Sequence, residues 1–115
     1  MSSPFVWFHH NGENAGEQKR FFEGFLDWKI SDGPAGMTML TAGAGPFAAL
    51  GSKGGRYGTE NAWIPFVQVD DVDRATKKAI SLGASLVREK SPGPAGEFSI
   101  IRDPAGAPMG LWKKA

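Results

Sequence analysis

The most restrictive feature of the sequence is an order of secondary-structure signals that occurs twice. Asn14 and Asp71, 57 residues apart, each open a helix-like segment that follows one strand-like segment and precedes three more. The fragments Gly45-Pro46-Phe47-Ala48 and Ala107-Pro108-Met109-Gly110 lie at matching places near the ends of the two halves. A short unit that is repeated within a chain indicates the architecture of the whole chain. We therefore predict an α+β chain made of two tandem βαβββ modules.

The first helix is predicted over residues 14–26. Asn14 is a favoured N-cap residue, and Glu17 stands three positions later, as in a capping box. Apolar side chains recur at a spacing of four residues and are expected to build one apolar face. They are Phe21, Phe22, Phe25 and Leu26.

The second helix is predicted over residues 71–82. Asp70 or Asp71 is the expected N-cap, and Gly83 suits the left-handed position that follows a helix. The side chains expected to be buried along this helix are Val72, Ala75, Ala79 and Ile80.

The other segments are β-rich and are separated by turns rich in Gly, Pro and Asp. The predicted strands cover residues 5–10, 28–31, 37–42 and 47–51 in the first module, and 63–69, 85–89, 98–101 and 108–112 in the second. The glycine-rich segment at about 52–61 is interpreted as a linker between modules at about 4–51 and 62–113. Residues 1–115 together are long enough for a single domain.

Composition excludes several classes of function. The net charge of +1 lacks the strongly basic balance of a nucleic-acid-binding protein. The chain contains no cysteine, which excludes disulfides and thiolate ligands. No apolar run approaches the roughly 20 residues that span a bilayer, and the first residues do not resemble a signal peptide. We therefore expect a cytoplasmic protein that binds neither nucleic acid nor membrane.

Several stretches resemble the vicinal oxygen chelate superfamily, which includes glyoxalase I, bleomycin-resistance proteins and extradiol dioxygenases. They are residues 20–28 (RFFEGFLDW), 70–73 (DDVD), 82–84 (LGA) and 103–106 (DPAG). The resemblance covers nearly the whole chain, from Phe5 to Trp112. It implies a glyoxalase-like fold in which two βαβββ modules form a curved, half-open mixed β-barrel around a cleft.

The resemblance also implies where a metal would be held. In metal-dependent members, four side chains on the concave strands, commonly His, Glu or Gln, bind one divalent ion. Position by position, the family pattern places these ligands at Trp7, Ala48, Ile64 and Gly110. None of these residues can coordinate a metal. The resemblance thus implies the fold, while the sequence contradicts the metal chemistry, and we predict no metal site and no cofactor.

Strand alternation sorts the remaining candidates by face. If Trp7 faces the cleft, His9 faces it too, whereas Phe8 and His10 face the helix side, so the two histidines cannot share one metal ion. Small residues at Ala48 and Gly110 leave room in the cleft. The predicted ligand-binding residues are Trp7, His9, Ile64, Phe66 and Trp112, with Arg56 and Tyr57 of the linker as a candidate anion anchor and lid.

Three functions are compatible with this cleft. The first is a metal-free protein of the glyoxalase/bleomycin-resistance type that binds a hydrophobic or aromatic small molecule. The second is a lyase or isomerase in which His9, which titrates near neutral pH, acts as the acid or base. The third is a structural module whose own side chains fill the cleft. A homodimer is expected in each case, because the glycine-rich core is thin.

Overall fold

The computed structural model describes residues 2–51 and 60–115 of the chain. The first module contains β1 (Phe5–Asn11), α1 (Ala15–Phe25), β2 (Lys29–Asp32), β3 (Thr38–Ala42) and β4 (Gly45–Leu50). The second contains β5 (Ala62–Gln68), α2 (Val72–Ser81), β6 (Ser85–Gly93), β7 (Gly96–Arg102) and β8 (Pro108–Lys114). The α+β class and the repeated βαβββ order predicted from the sequence are therefore confirmed.

The chain divides into two compact units, Trp7–Trp63 and Met1–Val6 with Ile64–Ala115. In the Trp7–Trp63 unit the strand order is β2-β3-β4-β1. β1 runs parallel to β4, and the other two pairs are antiparallel. Helix α1 packs against β2 and β4. The core on this side consists of Phe22, Leu40, Ala48 and Leu50, with Phe8, Leu26, Trp28, Ile30 and Phe47 packed around them.

A β-bulge in β4 brings an additional aromatic ring into this core. Leu40 of β3 pairs with Ala48, whereas the next residue, Thr41, pairs with Pro46, so Phe47 has no partner of its own. A bulge residue departs from strict strand alternation. Phe47 consequently packs with Ala48 on the helix side, where its ring centroid lies 5.0 Å from that of Trp28.

The start of α1 differs from the prediction. Asn14 precedes the helix, but it adopts a left-handed conformation (φ 57°, ψ 57°) and its side chain makes no capping bond. Side-chain capping requires an extended N-cap residue, and asparagine is one of the residues that tolerates the left-handed region. The Asn14 carbonyl instead accepts the amides of Glu17 and Gln18. The predicted capping box is therefore wrong.

The predicted apolar face of α1 is only partly buried. Phe22 is 7% exposed and Leu26 is partly buried, but Phe21 and Phe25 are 58% and 59% exposed. The spacing of four residues placed the four side chains on one broad stripe, and the sheet covers only the Phe22 side of it.

In the second unit the strand order is β5-β8-β7-β6, with β5 parallel to β8. The predicted N-cap and C-terminal glycine of α2 are confirmed. Asp71 Oδ1 accepts the backbone amide of Arg74 at 3.0 Å, and this bond lowers the pKa of the Asp71 carboxyl below its ordinary value. Gly83 has a φ of 109° just after the helix. Asp103 organises its turn by accepting the amides of Ala105 and Ala107, both at 3.0 Å.

Helix α2 is attached to the sheet by a buried pair of hydroxyls. Thr76 Oγ1 donates to the Val72 carbonyl at 2.6 Å and lies 2.8 Å from Ser99 Oγ of β7. A hydroxyl has one proton, so Ser99 is the donor to Thr76. The buried helix residues are Val72 and Thr76, whereas Ile80 is 42% exposed. The prediction that Ile80 is buried is wrong, because the fully covered part of the helix stripe is its N-terminal half, at Val72 and Thr76.

We expect the Thr76→Val variant to lose about 1–3 kcal/mol of unfolding free energy, because the fully buried Ser99 hydroxyl then loses its acceptor. Ser99→Ala should cost less, since Thr76 keeps its bond to Val72. The double variant should cost less than the sum of the two single losses. Urea unfolding measures all three, with the exposed Ser81→Ala as control. Strictly additive losses would contradict a direct Thr76–Ser99 interaction.

Candidate functional site

In the Trp7–Trp63 unit, different side chains of β1 lie on the two faces of the sheet. Phe8 packs on the α1 core, and the His10 ring contacts Phe22, so these two side chains lie on the helix side as predicted. By alternation Trp7 and His9 lie on the opposite face, away from α1. His9 is only 2% exposed and pairs with Ala49 of β4.

The predicted position of Ala48 is wrong. Ala48 pairs with Phe8 and belongs to the core beneath α1, so it does not share the face of Trp7 and His9. The bulge at Phe47 shifts the alternation of β4 by one residue, and Ala49 takes the place assigned to Ala48. The methyl group of Ala49 likewise offers no metal-coordinating atom.

The lack of a side chain at Gly51 leaves space for the His9 imidazole. A Cβ atom at Gly51 would lie 3.0 Å from His9 Nε2 and 3.3 Å from the His10 carbonyl oxygen. Any larger residue at position 51 would press on both groups. The imidazole is thus held in a closely packed, shielded position at the end of β4.

In the second unit, the face away from α2 is apolar and aromatic. Ser99 contacts α2, so its neighbours Phe98 and Ile100 point to the other side. Phe98 pairs with Trp112, and Ile100 pairs with Gly110, which in turn pairs with Phe66. The rings of Phe66 and Phe98 are T-shaped with centroids 6.2 Å apart. Phe98 of β7 therefore points away from α2. We call the group on this side of the sheet the apolar face; it consists of Phe66, Phe98, Ile100, Gly110 and Trp112.

The Phe66 ring occupies the space above Gly110. A Cβ atom at Gly110 would lie 2.2 Å from two ring carbons of Phe66, well inside contact distance. Gly110 is a position where the family pattern places a metal ligand, and here a glutamate at that position would collide with a buried ring. The residues at the family's metal positions therefore do not fit a divalent ion. Within residues 2–51 and 60–115, no three His, Asp or Glu side chains are grouped to hold one.

Arg88 brings a positive charge to the apolar face that the sequence analysis did not identify. Its guanidinium carbon lies 5.6 Å from the Phe98 ring centroid, and its Nε donates to Ser91 Oγ at 3.0 Å. The pairing of β6 with β7 shifts between Leu86 and Arg88. Simple alternation along β6 therefore does not assign Arg88 to a face, and this is why Arg88 was not among the predicted site residues.

The predicted ligand-binding residues are distributed as follows. Trp7 and His9 lie on the face away from α1 in one unit, and Ile64, Phe66 and Trp112 belong to the other unit. Ile64 and Phe66 are 0% and 6% exposed, whereas Trp112 is partly exposed. Arg56 and Tyr57 lie outside the described residues. In the described part of the chain, neither helix is long and apolar enough to cross a membrane.

His10 is held between two aromatic rings on the helix side. Its ring meets Trp63 edge to face at a centroid distance of 4.9 Å and Phe22 at 6.2 Å. This partial burial lowers the pKa of His10 below its ordinary value of 6.5, because the charged form loses hydration.

Comparison with known proteins establishes the family. Residues 8–112 match the model of the glyoxalase-like domain. The chain therefore belongs to the glyoxalase-like domain family, within the vicinal oxygen chelate superfamily. The proteins named "Putative glyoxylase CFP32" of Mycobacterium bovis and Mycobacterium tuberculosis are 30% identical over 103 residues, covering 83% of this chain. The match spans only 40% of the length of those relatives.

Solved structures share the fold at low sequence identity. A hypothetical protein from Bacillus halodurans aligns with a TM-score of 0.66 and 12% identity, over 97% of this chain and 94% of the other. A chain described as the NAD-dependent benzaldehyde dehydrogenase of Legionella pneumophila aligns with a TM-score of 0.64 and 15% identity, over 95% and 98%. At these identities the likeness concerns the fold alone.

We expect Gly110→Ala to destabilise the protein by about 1–3 kcal/mol, because the new methyl group displaces the buried Phe66 ring. Gly45→Ala in β4 is the matched control, since a Cβ there meets nothing within 4 Å. Urea unfolding compares the two variants with wild type. Equal stabilities for Gly110→Ala and Gly45→Ala would show that Phe66 does not lie over Gly110.

The His10 environment predicts a pH dependence of stability. Because the folded-state pKa is lowered, the unfolded chain binds more protons below about pH 6.5, and stability falls as the pH drops through that range. One group contributes a slope of at most about 1.4 kcal/mol per pH unit. The His10→Phe variant keeps an aromatic ring and should show a shallower loss between pH 7 and pH 5. Parallel pH profiles for wild type and variant would refute this assignment.

Proposed function

We propose that this chain is a small-molecule-binding protein of the glyoxalase/bleomycin-resistance type that works without a metal ion. Its ligand is hydrophobic or aromatic and is held on the apolar face of the second unit, which points away from α2. The observation that carries the proposal is the apolar face itself: the Phe66 ring lies over Gly110, where the family pattern places a metal ligand, and packs against the Phe98 ring.

The composition of the apolar face supports binding of a flat, largely apolar molecule. Ligand sites are lined mainly by hydrophobic and aromatic side chains with a few polar groups that orient the ligand. The hydrophobic lining here consists of Phe66, Phe98 and Trp112. The polar group that could orient a ligand is Arg88, beside Phe98. In the other unit, Trp7 and His9 lie on the face away from α1 and remain predicted ligand-binding residues of that unit.

Two further parts of the proposal concern the oligomeric state of the protein and its location in the cell. The protein is expected to be a homodimer, because a chain this small gains stability by covering apolar surface with a second copy. It is expected in the cytoplasm, on the composition alone.

The structural alternative has a specific observation in its favour. Ile64, Phe66, Phe98 and Ile100 are each at most 6% exposed, so they already pack closely without a ligand. If these side chains fill the apolar face completely, the module binds nothing there. The enzymatic alternative, with His9 as acid or base, requires a substrate to reach an imidazole that is 2% exposed.

A titration with the aromatic probe 8-anilinonaphthalene-1-sulfonate tests the proposal. We expect saturable fluorescence enhancement with wild type, and binding about five- to tenfold weaker in Trp112→Leu, because a stacking ring is lost. Leu82→Ala is the control, since Leu82 is 71% exposed at the end of α2 and belongs to no proposed binding surface. Binding that Trp112→Leu leaves unchanged would contradict the proposed location.

Native mass spectrometry of freshly purified protein separates the alternatives. A retained organic molecule supports the binding proposal and identifies the compound to pursue. A stoichiometric divalent ion would overturn the metal-free proposal. The absence of both, together with no saturable probe binding, would favour the structural module.

A further inference from the structure

The outer surface of the Trp7–Trp63 unit carries a dense group of exposed aromatic side chains. Phe21 and Phe25 project from α1 with 58% and 59% of their surface exposed, and Trp63 is 38% exposed. The Phe21 and Phe25 ring centroids are 4.7 Å apart, and both rings contact the buried Phe22. Contiguous exposed apolar surface of this kind marks an interaction site in soluble proteins.

A recess lies on the same surface. It has a volume of about 240 Å³, opens to solvent, and is lined by Phe8, Trp28, Phe47 and Trp63. Phe22 connects it to the projecting rings, with centroid distances of 5.4 Å to Trp28 and 5.9 Å to Trp63. A cavity of about 150 Å³ already holds a benzene molecule, so this recess has room for a phenyl ring. We call the recess and the projecting Phe21 and Phe25 the aromatic face.

We propose that the aromatic face is the interface of the homodimer, with Phe21 or Phe25 of each copy inserted into the recess of the other. This inference rests on the homodimer of the proposed function and identifies the surface that forms it. A two-fold interface uses the same patch on both copies, so the patch must be complementary to itself. The aromatic face meets this condition because it carries projecting rings and an apolar recess side by side.

A second copy fits this face better than a small molecule does. A ligand in the recess would leave Phe21 and Phe25 in water, whereas a second copy covers the rings and the recess together. At a full area of about 200 Å² per ring, the exposed parts of Phe21, Phe25 and Trp63 amount to roughly 300 Å². That is a substantial share of the roughly 800 Å² per partner in a standard interface.

The charges of α1 also allow two copies to approach. The helix carries two acidic and two basic side chains around the phenylalanines: Glu17, Lys19, Arg20 and Glu23. The balance leaves no net charge to repel an identical surface. The same four side chains provide the polar rim that surrounds the apolar centre of most interfaces.

Sedimentation equilibrium of the full chain tests the inference. We expect the wild-type protein to be a dimer at about 100 µM. The dimer dissociation constant of the Phe21→Glu/Phe25→Glu variant should be about a hundredfold higher, because aromatic side chains at the centre of the interface are lost. Both side chains are more than half exposed, so the variant should keep its far-UV circular dichroism and unfolding midpoint. The matched control is Leu82→Glu/Leu86→Glu, which changes two exposed leucines (71% and 48%) of the other unit and should remain dimeric.

A photo-crosslinker at position 25 gives an independent readout. A benzoylphenylalanine there should crosslink to the partner copy at Trp28, Phe47 or Trp63. A dimer that survives the double glutamate variant, or crosslinks only elsewhere, overturns this interface while leaving the homodimer intact. A monomeric wild type overturns both. Neither result bears on ligand binding, which the titration of the Trp112→Leu variant tests separately.

Discussion

In each module the first strand lies parallel to the last, and this pairing decides which side chains share a face. Parallel neighbours cannot be joined by a tight turn, so a helix and two strands complete the connection between them. Residues paired in register point to the same side. Phe8 and Ala48 therefore both meet α1, whereas Phe66 and Gly110 both point away from α2. The side of the paired strands that faces the helix forms the core, and the side that faces away from the helix carries the candidate site.

The parts of the molecule that depend on a few neighbouring residues were predictable from the sequence. Asp71 caps α2, Gly83 ends it and Asp103 holds its turn, because each interaction spans at most four residues. The repeated βαβββ order was equally accessible, since it follows from periodicity and turn residues. Alternation along β1 also predicted the helix side for Phe8, which packs on the core beneath α1.

The features that escaped prediction depend on pairing between strands or on packing between elements. An extra residue in β4 shifted Ala48 to the helix side, and a shift in β6 concealed Arg88. A bulge is a property of two paired strands, so alternation within one segment does not show it. The exposure of Phe21 and Phe25 is of the same kind, since the periodicity of α1 shows that they share a stripe but not how much of it the sheet covers.

The contact between Phe66 and Gly110 links two positions that are far apart in the chain. A carboxylate or imidazole cannot be introduced at position 110 while the ring remains, and shortening Phe66 first would leave a cavity in a closely packed face. Each single step toward a metal site therefore costs stability before any ion can compensate. The two positions are therefore expected to be energetically coupled. An engineer who wished to place a metal ligand at position 110 would need to change both positions together.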